Sequence, residues 1–106
     1  MTHDQVVAEI QARAERRGIL SHYCGSAERC HADRGAPDLL LAGPFGVAWV
    51  EVKTSACPTL SSGQVAWRYM LRAAGQVHEV MGEGDLIPGH AVDMLLGFVA
   101  TGEAAA

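Results

Sequence analysis

Pro37-Asp38-Leu39-Leu40-Leu41-Ala42-Gly43-Pro44-Phe45-Gly46-Val47-Ala48-Trp49-Val50-Glu51-Val52-Lys53 is the stretch on which the fold turns. Two apolar runs, Asp38 to Leu41 and Val47 to Lys53, flank the turn cluster Gly43 to Gly46, which predicts a hairpin of two strands. Side chains alternate along a strand, so Glu51 and Lys53 share one face while Val50 and Val52 take the other. The hairpin sets Asp38 beside Glu51 and Lys53. Two carboxylates and one ammonium then converge on a single spot.

Working outward, Thr2-x-x-Gln5 reads as a capping box ahead of Val6, Val7, Ile10 and Ala14, which share one helical face; Gly18 supplies the stop. This gives a first helix over about Asp4 to Arg17. Ile19 to Cys24 suits a short strand, and Gly25 to Gly35 is a polar loop by composition. After the hairpin, Ser61 is an N-cap for a helix running to about Ala74, closed by Gly75. Val77 to Met81 follows as a strand, then the loop Gly82 to Gly89 and an apolar final helix from Ala91 to Val99. The order αβββαβ plus a C-terminal helix implies one α/β (α+β) domain over residues 1–106, a small mixed sheet flanked by helices.

Composition narrows the class. The 106 residues are 49% hydrophobic and 19% charged, ordinary for a globular protein and unlike disordered, collagenous or coiled-coil chains. No apolar run approaches the roughly 20 residues that cross a bilayer, so no membrane partner is expected. Cys24, Cys30 and Cys57 make an odd count, which fits a reducing, cytoplasmic compartment better than a secreted disulfide framework. The formal charge is -4, but every Lys and Arg lies between Arg13 and Arg72, and the chain beyond Arg72 holds only acids. Neutralising acids in the first two thirds with metal ions leaves a modest basic face, which permits a polyanionic partner.

Two carboxylates without a histidine or thiolate form an oxygen-rich site, suited to a hard cation such as Mg²⁺ or Mn²⁺ rather than zinc. Such an ion polarises a phosphodiester and lowers the pKa of a bound water, and Lys53 adds a donor beside the attacked phosphate. Metal-assisted phosphodiester hydrolysis is the reaction this pattern suggests.

The ordered series Arg34-Gly35-Ala36-Pro37-Asp38-Leu39, then Glu51-Val52-Lys53-Thr54, then Leu60-Ser61-x-x-Gln64 and Gly75 resembles the PD-(D/E)xK nuclease superfamily. Within it the series is similar to the virus-type replication-repair nuclease (VRR-NUC) domain in its short stand-alone form common in bacteriophages. The resemblance implies a restriction-endonuclease-like core and a DNA endonuclease dependent on Mg²⁺ or Mn²⁺. It implies that Asp38 and Glu51 bind the metal with the main-chain carbonyl of Val52, that Glu9 completes the shell, and that Lys53 is the catalytic lysine with Gln64 beside it. It further implies a homodimer acting on branched DNA such as a four-way Holliday junction, in DNA repair, in a bacterial or phage-infected cytoplasm.

Each residue also has a plainer reading. Glu9 and Arg13 are spaced as a surface i,i+4 ion pair, and Ser61-x-x-Gln64 is itself a capping box that explains both residues. Gln64 shares a helix face with Trp67, Arg68 and Leu71; Trp67 and Leu71 read as core, while Arg68 and the loop residue Arg34 are candidates for phosphate contact. His22, Cys24, Cys30 and His31 are competent zinc ligands, but Cys-x₅-Cys is not a usual zinc spacing. Cys57, His3, His78 and His90 show no partner logic. Two rival functions follow: a catalytically inactive DNA-binding module of the same fold, and a zinc-stabilised interaction module. The apolar residues Val92, Met94, Leu95, Leu96, Phe98 and Val99 fit either core or a homodimer interface.

Overall fold

The computed structural model describes residues 1–24, 35–54 and 59–103. The first helix, α1 (His3–Arg16), opens on the expected capping box, with Thr2 Oγ1 accepting from the Gln5 N–H at 3.1 Å and Gln5 Oε1 accepting from the Thr2 N–H at 2.8 Å. It buries Val6, Val7, Ile10 and Ala14, the apolar face read from its spacing. The chain leaves through Gly18, whose φ of +71° lies in the left-handed region that glycine enters without strain.

Four strands follow in a single mixed sheet among the described residues: β1 (Leu20–Tyr23), β2 (Leu39–Ala42), β3 (Val47–Val52) and β4 (Val77–Met81), in that spatial order. β1, β2 and β3 pair antiparallel, whereas β4 runs parallel to β3. A parallel neighbour needs a crossover, and α2 (Ser62–Ala73) provides it. A short 3-10 turn (Glu83–Leu86) and α3 (Ala91–Thr101) complete the chain. The predicted elements and their order are all present, with boundaries moved by a residue or two.

Alternation assigns the two faces of the sheet. Leu39 and Leu41 of β2 and Ala48, Val50 and Val52 of β3 are buried, and they join Val6, Val7 and Ile10 of α1 and Val92, Leu96 and Val99 of α3 in one core. The fully buried leucines contribute about 1.5–3 kcal/mol each. The apolar C-terminal stretch therefore serves the core through Val92, Leu96 and Val99, while Met94 and Phe98 stay exposed.

Among the described residues the opposite face carries only α2, packed over β4, and this corrects one expectation. Helix α2 buries no residue at all: Trp67 and Leu71, read as core, are half-buried, and Tyr69 and Met70 are 71% and 66% exposed. Its apolar face is present in the sequence, but the sheet beneath it ends at edge strand β4, so only a narrow strip is covered.

The start of α2 is fixed by Gly35, at φ +89°. A Cβ there would lie 2.4 Å from the Gly63 carbonyl carbon and 2.6 Å from the Gln64 nitrogen. The backbone of Gly35 thus packs directly against the first turn of α2. Gly35→Ala is expected to cost about 1–3 kcal/mol through strain and displacement of this turn. A thermal melt should show a fall of roughly 5–15 °C for a domain of this size.

Candidate active site

The β2–β3 register pairs Leu39 with Val50, so one step further Asp38 stands opposite Glu51. β2 ends there, and the backbone of β3 beyond Val50 has lost its partner on that side. The Asp38 side chain fills the gap: its Oδ2 accepts the Val52 N–H at 2.9 Å. In a strand a residue's carbonyl points to the same side as its N–H, so the Val52 carbonyl also faces this gap.

Glu51 is 4% exposed, although it lies on the face that α2 only partly covers. Gln64 reaches it from the first turn of α2, with Nε2 donating to Glu51 Oε1 at 2.7 Å. Gln64 Oε1 accepts from Lys53 Nζ at 3.0 Å and from the Ser61 N–H at 2.8 Å. The amide adopts only this orientation, because the Lys53 ammonium and the Ser61 N–H are both donors and both meet its oxygen. Lys53 Nζ lies 3.8 Å from the same Glu51 oxygen. Gln64 is therefore both the capping-box residue and a member of the site.

Burial pushes the Glu51 carboxyl up to about 7; the negative charge of Asp38 adds to the shift, and Lys53 opposes it. Two carboxylates in a partly dry pocket resist simultaneous ionisation. A cation between them would remove that conflict.

Of the candidates read from the sequence, Asp38, Glu51, Val52, Lys53 and Gln64 come together, but Glu9 does not. Its carboxylate accepts from Arg13 Nε at 2.9 Å, and Arg13 in turn reaches Asp93 of α3 at 3.3 Å. Six residues along an α-helix amount to roughly 240° of net rotation and about 9 Å of rise, which takes Glu9 off the face that meets the site. That face is set by His3, whose Nε2 stands 3.2 Å from Asp38 Oδ2.

Arg68 is also drawn elsewhere. Its Nη1 bonds His78 Nδ1 at 3.2 Å and the His78 carbonyl at 3.4 Å, which anchors α2 to β4. His78 is buried, and burial together with the charge of Arg68 lowers its pKa, so it receives this bond as a neutral ring. Arg34, Cys30, His31 and Cys57 lie outside the described residues. Cys24 is disulfide-bonded, which departs from the reduced thiols expected and removes it from the zinc set. Among the described residues no helix is long and apolar enough to cross a membrane.

Sequence reasoning missed His3 and Tyr23. The Tyr23 hydroxyl donates to Asp4 Oδ1 at 2.6 Å and lies 3.3 Å from His3 Nδ1. Burial first, and the bond to Asp4 next, raise the phenol to about 12, so it keeps its proton. No spacing rule links residues 3, 23 and 38; only the packing of α1 against β1 does.

No family model matches the chain, and no curated protein does. Solved structures do. A structure described as a VRR_NUC domain shares 27% identity over 76% of this chain and 84% of its own, with a TM-score of 0.65. A second, described as a VRR_NUC domain protein, shares 21% identity over 77% of this chain and 78% of its own, with a TM-score of 0.58, and attests the fold. With the mixed four-stranded sheet, the three helices and the Pro37-Asp38…Glu51-Val52-Lys53 series gathered at one end of the sheet, this chain folds as a VRR-NUC domain, a nuclease-type unit.

Proposed function

We propose that this protein is a divalent-cation-dependent deoxyribonuclease that hydrolyses phosphodiester bonds at the end of the sheet where β2 begins and β3 ends. The observation that carries the reading is the convergence of Glu51, Lys53 and Gln64, tied by contacts of 2.7–3.8 Å, with Asp38 placed opposite Glu51 by the strand register and held by the Val52 N–H at 2.9 Å. Asp38, Glu51 and the Val52 carbonyl are an oxygen-rich donor set, which suits Mg²⁺ or Mn²⁺. Among the described residues no three His, Cys, Asp or Glu side chains yet close on one point. The fit therefore rests on the chemistry of the donors and on the like-charge pair that a dication would relieve.

When bound, the cation supplies Lewis acidity toward the phosphate and a water of lowered pKa. The chain's own residues do the rest. Lys53, a quarter exposed with its ammonium held by Gln64, presents a positive donor where charge develops on the phosphoryl oxygens. Gln64 fixes Glu51 and Lys53 relative to each other, so neither must reorganise during the reaction. Both α1, through His3, and α2, through Gln64, direct their first turns at this place. Helix N-termini favour an anionic backbone there.

Branched DNA as substrate, a homodimer as the working form and a role in DNA repair follow from the resemblance to stand-alone VRR-NUC proteins. A catalytically inactive DNA-binding module would have no use for a buried Glu51 set beside a second, partly buried carboxylate. A zinc-stabilised module loses Cys24 as a ligand.

The direct test is Lys53→Ala assayed on four-way junction, flap, duplex and single-stranded DNA with Mg²⁺ or Mn²⁺. Cleavage should fall by at least about 10²-fold, with the melting temperature and DNA affinity little changed. Cleavage at the wild-type rate would remove the mechanism.

The Glu51 shift makes a second, independent prediction. Its folded pKa lies above the unfolded value of 4.5, so its proton stabilises the fold below that value and the benefit is lost as pH rises to about 7. In the metal-free protein Glu51→Gln should abolish this decline and gain on the order of 2 kcal/mol above neutral pH, while cleavage is lost. Melting curves across this range, with and without Mn²⁺, measure it.

A further inference from the structure

The two arginines of α2 both end on one residue of the sheet, His78 of β4. Arg68 Nη1 bonds the His78 Nδ1 at 3.2 Å and the His78 carbonyl at 3.4 Å, and Arg72 Nη2 donates to the same carbonyl at 3.2 Å. That carbonyl lies on the outer edge of β4. The Lys53 N–H takes the Met81 carbonyl, and carbonyls alternate along a strand, so Glu79 and Met81 serve the ladder to β3 while His78 faces away.

Gln64, Arg68 and Arg72 recur every four residues and so form one stripe of the helix. Its first member bonds Glu51 and Lys53, and the other two bond His78. Because α2 buries no residue, apolar packing leaves its height and rotation on the sheet loosely set. The polar stripe sets them, and Gln64 stands where it does because Arg68, one turn on, is tied to His78.

A guanidinium only donates, so His78 Nδ1 must offer Arg68 a lone pair. A proton on Nδ1 would abolish that bond and leave two cations 3.2 Å apart around a buried ring. Among the described residues the charged groups about this ring are Arg68 and Arg72 of α2 and the adjacent Glu79 of β4. On β3 its register partner is the uncharged Trp49, and Glu51 lies two residues further along that face. Burial first, and Arg68 next, lower the His78 pKa, so the bond holds at neutral pH and opens only in acid, below the ordinary 6.5.

We propose that His78, acting through Arg68 and Arg72, is the positioning residue that holds Gln64 against Glu51 and Lys53, and that a proton on His78 unlatches α2 and switches the site off. Its effect on cleavage rests on the nuclease reading above; its effect on α2 rests on the geometry of the helix and strand alone.

The experiment follows the His78 imidazole and the Gln64 side-chain amide by nuclear magnetic resonance of the metal-free full chain, titrated from about pH 8 down to about pH 5. In the wild type the Gln64 amide should move in two steps, one with Glu51 and one at the His78 midpoint. His78→Gln, whose amide oxygen accepts from Arg68 at any pH, should keep the first step and lose the second. Arg68→Met should raise the His78 midpoint toward 6.5. Cleavage is then measured with Mn²⁺ on whichever DNA the wild type cuts. Arg68→Met should lower kcat about tenfold with KM changed less than about twofold, as expected for a misplaced rather than a missing group. His78→Gln should match the wild type at neutral pH and exceed its kcat by about fivefold or more in acid. Melting curves at neutral pH should show all three proteins folded.

A Gln64 amide that ignores the His78 midpoint, a His78 midpoint unmoved by Arg68→Met, or an equal loss of kcat in acid for wild type and His78→Gln overturns the proposal. Wild-type protein that cuts no DNA removes the nuclease reading, and the two resonance titrations, which need no substrate, still uphold or overturn the latch.

Discussion

A hydrogen bond from the Val52 N–H to the Asp38 carboxylate holds the functional end of this molecule together. β3 outruns β2 there, and without Asp38 the buried Val52 N–H would be left unpaired, at a cost of about 1–3 kcal/mol. A carboxylate serves where another strand residue would not, because it reaches past the end of the ladder and accepts from more than one donor. The same bond places a negative oxygen across from Glu51. What completes the sheet and what prepares the site are one contact.

Gln64 is the second such joint. A capping box and an active-site role were competing accounts of Ser61-x-x-Gln64, and the geometry satisfies both with one amide. Its oxygen receives the Ser61 N–H, which starts α2, and the Lys53 ammonium; its nitrogen goes to Glu51. Because the backbone of Gly35 presses against this turn, the start of α2 is held near the strand ends. The lysine and the glutamate inherit that rigidity.

Much of this was legible because it depends on short-range pattern. Hairpin, capping boxes and strand alternation are local; Asp38, Glu51 and Lys53 gather at one strand end as the hairpin implied, and Gln64 joins them as the family resemblance implied. What failed was what depends on how far a neighbour extends or how a helix is rotated. Trp67 and Leu71 sit on an apolar helix face, but β4 is the sheet's last strand and covers little of it. Glu9 precedes β1 in the order the motif requires, yet helical phase turns it toward Arg13, which also holds Asp93. His3 had no sequence partner, since its neighbours Tyr23 and Asp38 are assembled only by the docking of α1.

Alternation along β3 also explains how so small a chain tolerates an unfavourable site. Ala48, Val50 and Val52 point into the core shared with α1 and α3, while Glu51 points the other way, beneath the start of α2. Stability is concentrated on one face and electrostatic conflict on the other, separated by the thickness of a single sheet. Repulsion between Asp38 and Glu51 therefore need not loosen the hydrophobic core, and core packing need not compromise for the site. The strand's backbone belongs to both. Its Val52 N–H, held by Asp38, is where a change on one side is felt on the other.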